Sequence, residues 1–213
     1  MATILITGFG RFPGAPSNPS GDLARTLARI RRPALSGKNR VGHVFATSYA
    51  AVDRQLPALI ARHRPDAIVM FGLATKTKHI RIELQARNRL LVLFPDATGF
   101  SPRTRTIRAQ GPAIVRGRAP FSRLLAAARG HGMAVALSRN AGSYVCNYCY
   151  WRAIESTALL DRPPLIVFIH VPMLRNRSRP RANATSNAPR RVRLVETGAA
   201  ILSAVAADLR ASR

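Results

Sequence analysis

The fold is decided by the stretch Asp66-Ala67-Ile68-Val69-Met70-Phe71, which is almost continuously apolar. Such a run is typical of a parallel strand that helices cover on both faces. A second run of the same kind is Leu165-Ile166-Val167-Phe168-Ile169. Two fully buried strands indicate a sheet in the middle of the molecule, and the rest of the chain should supply its covering helices.

Strand-like and helical patterns alternate along the remaining sequence. Apolar or alternating runs predict further strands at 3–7, 41–47, 79–87 and 133–137. Apolar residues at helical spacing predict helices at 21–31, 50–64, 121–128, 151–160 and 191–210, and Ser20 is the expected N-cap of the first. The alternation predicts the α/β class, as a single-domain α/β/α sandwich with a mostly parallel twisted sheet. No repeat or domain boundary is visible, so a single domain is expected over 1–213.

The segment 79–87 differs from the other strands because it alternates cleanly. Ile80, Ile82 and Leu84 fall on one face, whereas Arg81 and Glu83 fall on the other. This pattern predicts a half-exposed strand at a sheet edge or in a hairpin. The segments 94–119 and 174–189 are predicted to be loops, since proline, glycine and polar residues dominate them.

Length, composition and charge exclude several classes of protein. The chain has 213 residues, of which 47% are hydrophobic, so a folded core is expected and disorder is not. There are 34 Lys and Arg residues against 9 Asp and Glu, a net charge of +25. Such a charge attracts nucleic acid non-specifically, but the cations are scattered and no nucleic-acid-binding motif is present, so no specific nucleic-acid partner is expected.

The location of the protein is predicted from what the sequence lacks. No apolar run reaches 18 residues, so no membrane span is expected. The N-terminus has the pattern of a first strand and not of a signal peptide. Two cysteines do not form a disulfide framework, which favours a reducing, cytoplasmic location. The glycine-rich stretch 8–14 is not a dinucleotide site, because Pro13 stands where the third glycine should be.

Both cysteines, Cys146 and Cys149, lie where a loop is predicted to become a helix. Free backbone N–H groups and the helix dipole at such a place favour the thiolate, the reactive form of cysteine. A zinc site would need a second pair of ligands, which the histidine spacing does not provide. A redox pair would be expected earlier in the chain. A small buried residue remains an alternative for Cys146, and packing is the favoured role of Cys149.

Sites in open α/β sheets form beyond the carboxyl ends of the strands. The loops predicted at that edge begin at Gly8, Thr47, Gly72, Ser138 and His170. The candidates that these loops would bring together are Phe9, Phe12, Cys146 and His170, with Glu83 on the nearby strand. An imidazole could take the thiol proton and a carboxylate could orient the imidazole. The alternatives are a hydrogen-bonded core histidine and an exposed glutamate paired with Arg81.

Four segments resemble the type I pyroglutamyl peptidases, also called pyrrolidone-carboxylate peptidases. They are Thr7-Gly-Phe-Gly-Arg-Phe12 with Asn18-Pro-Ser20, the segment 72–88, Ala141-Gly-Ser-Tyr-Val-Cys-Asn147, and Phe168-Ile-His-Val-Pro172. Their order and spacing also match this family. The resemblance implies an α/β sandwich that removes an N-terminal pyroglutamyl residue from peptides. It also implies a cytosolic enzyme, often a tetramer, that needs no metal or other cofactor.

The same resemblance implies a role for individual residues. Cys146 would be the nucleophile that forms a thioester acyl-enzyme, His170 the general base and acid, and Glu83 the group that orients His170. The residues implied to line the substrate pocket are Phe9, Phe12, Leu73 and Val145.

The sequence departs from the family pattern around the substrate pocket. Leu73 stands where the family often has a glutamine, Thr75 and Lys76 replace two glycines, and Leu93 aligns with a family arginine. Two alternatives therefore stay open beside a pyroglutamyl peptidase. One is a related enzyme with a different preference for the N-terminal acyl group. The other is a catalytically weak homologue that acts as a basic binding protein.

Overall fold

A computed structural model describes residues 1–174 and 188–211, so most of the loop predicted at 174–189 lies outside the described residues. The strands are β1 (Ala2–Phe9), β2 (Lys38–Phe45), β3 (Ala67–Ala74), β4 (Ile80–Glu83), β5 (Gln85–Arg87), β6 (Ile114–Arg116), β7 (Val135–Ser138) and β8 (Leu165–Pro172). The helices are α1 (Pro19–Arg29), α2 (Tyr49–His63), α3 (Phe121–Ala128), α4 (Val145–Ser156) and α5 (Ala188–Ala211), with one 3-10 turn at Pro33–Leu35.

Six strands form one sheet in the order β2-β1-β3-β8-β4-β7. All neighbouring pairs are parallel except β4 and β8, which are antiparallel. β3 and β8 lie at the centre and pair in register from Ala67 with Leu165 to Ala74 with Pro172. Every residue of β3 is buried. The predicted α/β fold with a mostly parallel sheet is therefore confirmed, and the two apolar runs form its central strands.

The two faces of this sheet bury different kinds of side chain. Helices α1, α3 and α5 cover one face, which we call the aliphatic face; its cluster includes Ile4, Leu27, Val69, Ile201 and Leu202. Helices α2 and α4 cover the other, which we call the aromatic face; its cluster includes Phe9, Phe45, Tyr150, Trp151 and Phe168. The described helices thus form a layer on each side of the sheet, and none is long and apolar enough to cross a membrane.

The first helix is capped by Asn18, and the prediction that Ser20 caps it is wrong. The Asn18 side chain accepts a hydrogen bond from the Ser20 backbone N–H at 3.1 Å. The helix begins with Pro19, a residue that suits the first turn because it has no N–H to satisfy. The hydroxyl of Ser20 is buried instead and accepts the Phe9 backbone N–H at 3.1 Å. This contact joins the glycine-rich loop to α1.

The segment 79–87 is two strands in two different sheets, so the prediction of one half-exposed strand is wrong. The chain leaves the main sheet at Leu84, whose N–H bonds to the Ser138 carbonyl and whose carbonyl accepts the Gly117 N–H. β4 lies between β8 and β7, whereas β5 pairs with β6 in a separate two-stranded sheet. A strand with neighbours on both sides is not an edge, and Glu83 lies on the packed aromatic face, where the Tyr150 hydroxyl donates to its backbone carbonyl, so Glu83 is fully buried.

The path of the chain into α4 also differs from expectation. β7 is parallel to β4 and therefore runs opposite to β3 and β8, so Ser138 does not lie at their carboxyl ends. Residues 139–144 carry the chain back along the sheet, and α4 begins at Val145, before the predicted start at 151. The start of α4 is thereby placed against the carboxyl end of β3.

Candidate active site

The Cys146 sulfur lies directly over Gly72 of β3. A Cβ atom placed on Gly72 would be 2.8 Å from Cys146 Sγ and 2.7 Å from the ring of Phe168. Side chains do not tolerate such distances, so only glycine lets the first turn of α4 approach the sheet this closely. Gly72 pairs in register with His170 on the neighbouring strand. The thiol and the imidazole are therefore neighbours on the aromatic face.

His170 is held by Glu83 from the other side. His170 Nδ1 lies 2.8 Å from Glu83 Oε1, and both side chains are buried. The antiparallel pairing of β4 with β8 places Arg81 opposite His170 and Glu83 opposite Phe168. Because alternate residues of a strand share a face, all these side chains lie on the aromatic face with Cys146. The structure thus brings together the three residues whose catalytic roles the resemblance implied.

Arg81 is a fourth member of this cluster, although its place in the sequence suggested only a partner for an exposed glutamate. Its Nε lies 3.1 Å from Glu83 Oε1, and its Nη2 lies 3.3 Å from His170 Nδ1. The ion pair with Glu83 therefore exists, but around a carboxylate that is fully buried. The sequence did place both residues on one face of a strand, and that periodicity was the available signal.

Burial and hydrogen bonding set the protonation of the histidine and the glutamate. Burial lowers the pKa of His170 and outweighs the opposing effect of the Glu83 carboxylate. Burial alone would raise the pKa of Glu83, but the hydrogen bond and charge of His170, aided by Ser138 and Arg81, lower it. At neutral pH the imidazole is accordingly neutral and the carboxylate is ionised.

Cys146 rests as a thiol, in contrast to the expectation that its position favours the thiolate. Cys146 is the second residue of α4, as a helix-start position requires. Burial nevertheless raises the pKa of its thiol to about 12, although a hydrogen bond with the Leu73 backbone acts in the opposite direction. The helix dipole does not overcome desolvation here. The sulfur therefore needs a base to become a nucleophile.

The four residues expected to line a substrate pocket occupy different places. Phe9 and Val145 are fully buried within the aromatic cluster. Phe12 is half-buried and its ring lies 5.7 Å from that of Tyr144. Leu73 is buried and follows Gly72 in a regular strand, so its side chain points toward the opposite face of the sheet. Of the four, only Phe12 is not fully buried, and its ring adjoins that of Tyr144, two residues before Cys146.

The start of α4 is held by two residues for which the sequence pattern predicted no role, Asn147 and Tyr144. Asn147 is buried; its Oδ1 accepts the Arg87 N–H at 2.8 Å, and its Nδ2 donates to the carbonyls of Arg87 and Arg89. The Tyr144 hydroxyl donates to the Pro95 carbonyl at 2.8 Å. Both residues flank Cys146 in the quoted segment, and they fix the position of the helix that carries the thiol.

Cys149, one turn further along α4, is fully buried in the aromatic cluster, and burial raises the pKa of its thiol well above the usual value. Both cysteines are free thiols. Among residues 1–174 and 188–211, no group of three or more His, Cys, Asp and Glu side chains is arranged to hold a metal ion. The position of Cys149 is that of a packing residue.

A family model, curated relatives and a solved structure all relate this chain to the same group of peptidases. The family model described as pyroglutamyl peptidase matches residues 2–206. A pyrrolidone-carboxylate peptidase of Chromobacterium violaceum is 33% identical over 182 residues, 82% of this chain and 79% of that protein. One of Clavibacter michiganensis is 32% identical over 174 residues, 81% and 79% of the two chains. The structure of pyrrolidone carboxyl peptidase from Thermococcus litoralis shares the fold, with a TM-score of 0.83, 22% identity and coverage of 100% of this chain and 97% of that one.

Proposed function

The chain belongs to the pyroglutamyl peptidase family of cysteine-type peptidases, and we propose that it hydrolyses the amide bond after an N-terminal pyroglutamyl residue through Cys146, His170 and Glu83. One observation carries the assignment of roles. The Cys146 sulfur lies over Gly72, whose partner in register is His170, and His170 is 2.8 Å from a buried carboxylate. These are the nucleophile, base and orienting group of a triad.

The first chemical step is transfer of the thiol proton to His170. Glu83 accepts a hydrogen bond from Nδ1–H of His170, which leaves Nε2 unprotonated and able to take the Cys146 proton. A neutral imidazole is required for this step, and the burial that lowers the pKa of His170 provides it. Because the resting thiol has a raised pKa, the thiolate forms only as His170 accepts its proton.

The thiolate then attacks the carbonyl carbon of the pyroglutamyl residue. Backbone N–H groups at the start of α4 point toward the developing oxyanion and stabilise it. His170 gives its proton to the leaving amine as the carbon–nitrogen bond breaks, and a thioester to Cys146 remains. Water, deprotonated by His170, hydrolyses the thioester and releases pyroglutamate with the free thiol.

The substrate ring carries no charge, so its pocket should be neutral and mostly apolar. Phe12 and Tyr144 lie side by side next to the start of α4 and supply an aromatic wall. Phe9 and Val145 support the pocket from within the core, and Leu73 contributes through its backbone. No charged side chain is needed to bind the ring, which agrees with recognition of a lactam in preference to a free amino terminus.

Location and assembly are proposed from the family resemblance. We expect the enzyme in the cytoplasm as a homo-oligomer, either a tetramer or a dimer. Light scattering coupled to gel filtration measures the assembly directly, and a monomer at working concentration would contradict it.

The function is tested with a fluorogenic pyroglutamyl amide beside amides of proline, alanine, glutamate and other N-terminal residues. We expect kcat/KM for the pyroglutamyl compound to exceed all others, and iodoacetamide to abolish the activity. Activity on several compounds without preference for pyroglutamyl would show that the pocket has another specificity. Absence of turnover with a folded protein would favour the inactive homologue.

A further inference from the structure

Arg81 contacts two of the three groups of the proposed triad at once. Its Nε is 3.1 Å from Glu83 Oε1 and its Nη2 is 3.3 Å from His170 Nδ1. The side chain is only 22% exposed, so little water screens these contacts. We propose that Arg81 is a positioning residue whose cation balances the buried Glu83 carboxylate, keeps His170 neutral and thereby sets the low-pH limit of activity.

The two contacts of His170 Nδ1 cannot both be hydrogen bonds. Nδ1 donates to Glu83 only when it carries a proton, and it accepts from Arg81 only when it does not. The contact with Glu83, at 2.8 Å, is shorter than that with Arg81, at 3.3 Å. The proton is thus on Nδ1, and Arg81 acts on the histidine as a nearby charge and not as a hydrogen-bond donor.

The charge balance explains why such a cation matters. Glu83 is fully buried, and a buried carboxylate without a counter-charge is strongly unfavourable. With Arg81 present, carboxylate and guanidinium cancel and the imidazole can remain neutral. Without Arg81, protonation of His170 would be the readiest way to balance Glu83. A protonated His170 could not accept the Cys146 proton, so the enzyme would be inactive until a higher pH.

The other groups around the imidazole do not replace this charge. Within the described residues, β4 contributes Glu83 and Arg81, and α4 contributes the Cys146 thiol on Gly72. On β8 itself, the Phe168 ring lies 4.9 Å from the His170 ring. Ser138 of β7 faces the Glu83 carboxylate but is uncharged. Arg81 also lowers the pKa of Cys146 whereas Glu83 raises it, so the same cation favours the thiolate.

The kinetic test rests on the proposed function and compares Arg81→Met with Arg81→Lys. The pH profile of kcat/KM is measured with the pyroglutamyl amide. We expect the acidic limb of Arg81→Met to move to higher pH by about one unit, with about a tenfold loss of kcat/KM on that limb. KM should change little, and Arg81→Lys should retain most of the original profile. Arg123→Met removes an exposed arginine that pairs with Asp208 at 2.8 Å, and it should leave the profile unchanged.

A second readout needs no substrate. The ring signals of the histidines are followed by NMR during a pH titration, with His170→Asn used to assign the signal. We expect the pKa of His170 to be higher in Arg81→Met than in the wild type. Arg81→Gln takes its place if the methionine variant does not fold.

The results of the two experiments distinguish a failure of the role of Arg81 from a failure of the proposed peptidase activity. An unmoved acidic limb together with an unchanged His170 titration would overturn the role of Arg81, even if the enzyme cleaves pyroglutamyl amides. A shifted titration in a protein without such activity would support the role of Arg81 and contradict the proposed substrate. Equal loss of activity at every pH would indicate that Arg81 only supports the fold, and would also overturn the proposal.

Discussion

The two faces of the central sheet bury different kinds of side chain, and only one of them holds the residues of the proposed triad. The aliphatic face packs branched and small side chains between the sheet and helices α1, α3 and α5, and Phe71 is the one aromatic side chain among its fully buried, described members. The aromatic face packs rings between the sheet and helices α2 and α4, and it also holds the thiol, the imidazole and the carboxylate. The same strands therefore carry a scaffold on one side and the proposed catalytic site on the other.

The contrast between the two faces shows how aromatic packing accommodates buried polar groups. A tyrosine gives both an apolar ring and a hydroxyl, so it can pack and donate a hydrogen bond at the same point. Tyr150 does this, since its hydroxyl donates to the Glu83 carbonyl at 2.9 Å while its ring packs on Phe168. Aliphatic side chains offer no such donor. On the aliphatic side, charges pair at the surface instead, as Arg32 and Glu196 do.

The largest effect is expected from a comparison of the two cysteines on the aromatic face, of which only Cys146 is proposed to react. Cys146→Ser should lower kcat/KM by at least about 10³-fold, because a serine hydroxyl is far less easily ionised than a thiol. Cys149→Ala should keep most activity and cost stability alone, about 1 kcal/mol, since Cys149 only fills space. Activity assays and urea denaturation measure the two effects. Equal loss of activity in both variants would favour a redox pair and contradict the packing role.

A second comparison uses glycines on opposite faces. A Cβ on Gly72 would lie 2.8 Å from Cys146 Sγ, and one on Gly42 would lie 2.8 Å from the Ala28 side chain on the aliphatic face. Gly72→Ala should reduce kcat about 100-fold, because it displaces the thiol from His170 by a fraction of an ångström to an ångström. Gly42→Ala should lower the melting temperature with little change in kcat. If Gly42→Ala lost as much kcat as Gly72→Ala, the aliphatic face could not be regarded as scaffold alone.

The smallest expected effect is the dependence of stability on pH. The pKa of His170 is lowered from 6.5 in the folded state, so the unfolded chain binds the proton first and folding is weakened as pH falls below 6.5. The pKa of Glu83 is lowered from 4.5, so its stabilising contribution is present above that value and is lost as pH falls further. Both groups lower the free energy of unfolding as the pH falls. Each unit of difference between the pKa values in the folded and the unfolded state corresponds to about 1.4 kcal/mol.

This dependence is measured by urea denaturation between pH 7 and pH 4. The variant His170→Asn should lose less stability than the wild type between pH 7 and pH 5, because it has no imidazole to titrate. Identical slopes for the two proteins over that range would show that His170 is not buried in its neutral form.

Local pattern in the sequence was sufficient for the buried central strands and for a helix with a clear apolar stripe. The apolar runs at 66–71 and 165–169 became β3 and β8, and the helix predicted at 121–128 has those bounds. Cys146 was correctly placed at a helix start. The fold class follows from such features because hydrophobic periodicity reflects which sides of an element are covered. The catalytic roles came from resemblance and not from periodicity.

Only the tertiary structure decided how these parts meet. The sequence predicted a half-exposed strand around Glu83, yet β4 pairs antiparallel with β8 and parallel with β7, and the Glu83 carboxylate is buried beside His170. It gave no reason for glycine at position 72 beyond the end of a strand, whereas the approach of Cys146 requires it. The sequence offered Arg81 only as a surface partner of Glu83, whereas in space it contacts both Glu83 and His170 of the proposed triad. Strand order and strand direction depend on contacts between residues far apart in the chain. A local sequence pattern does not determine those contacts.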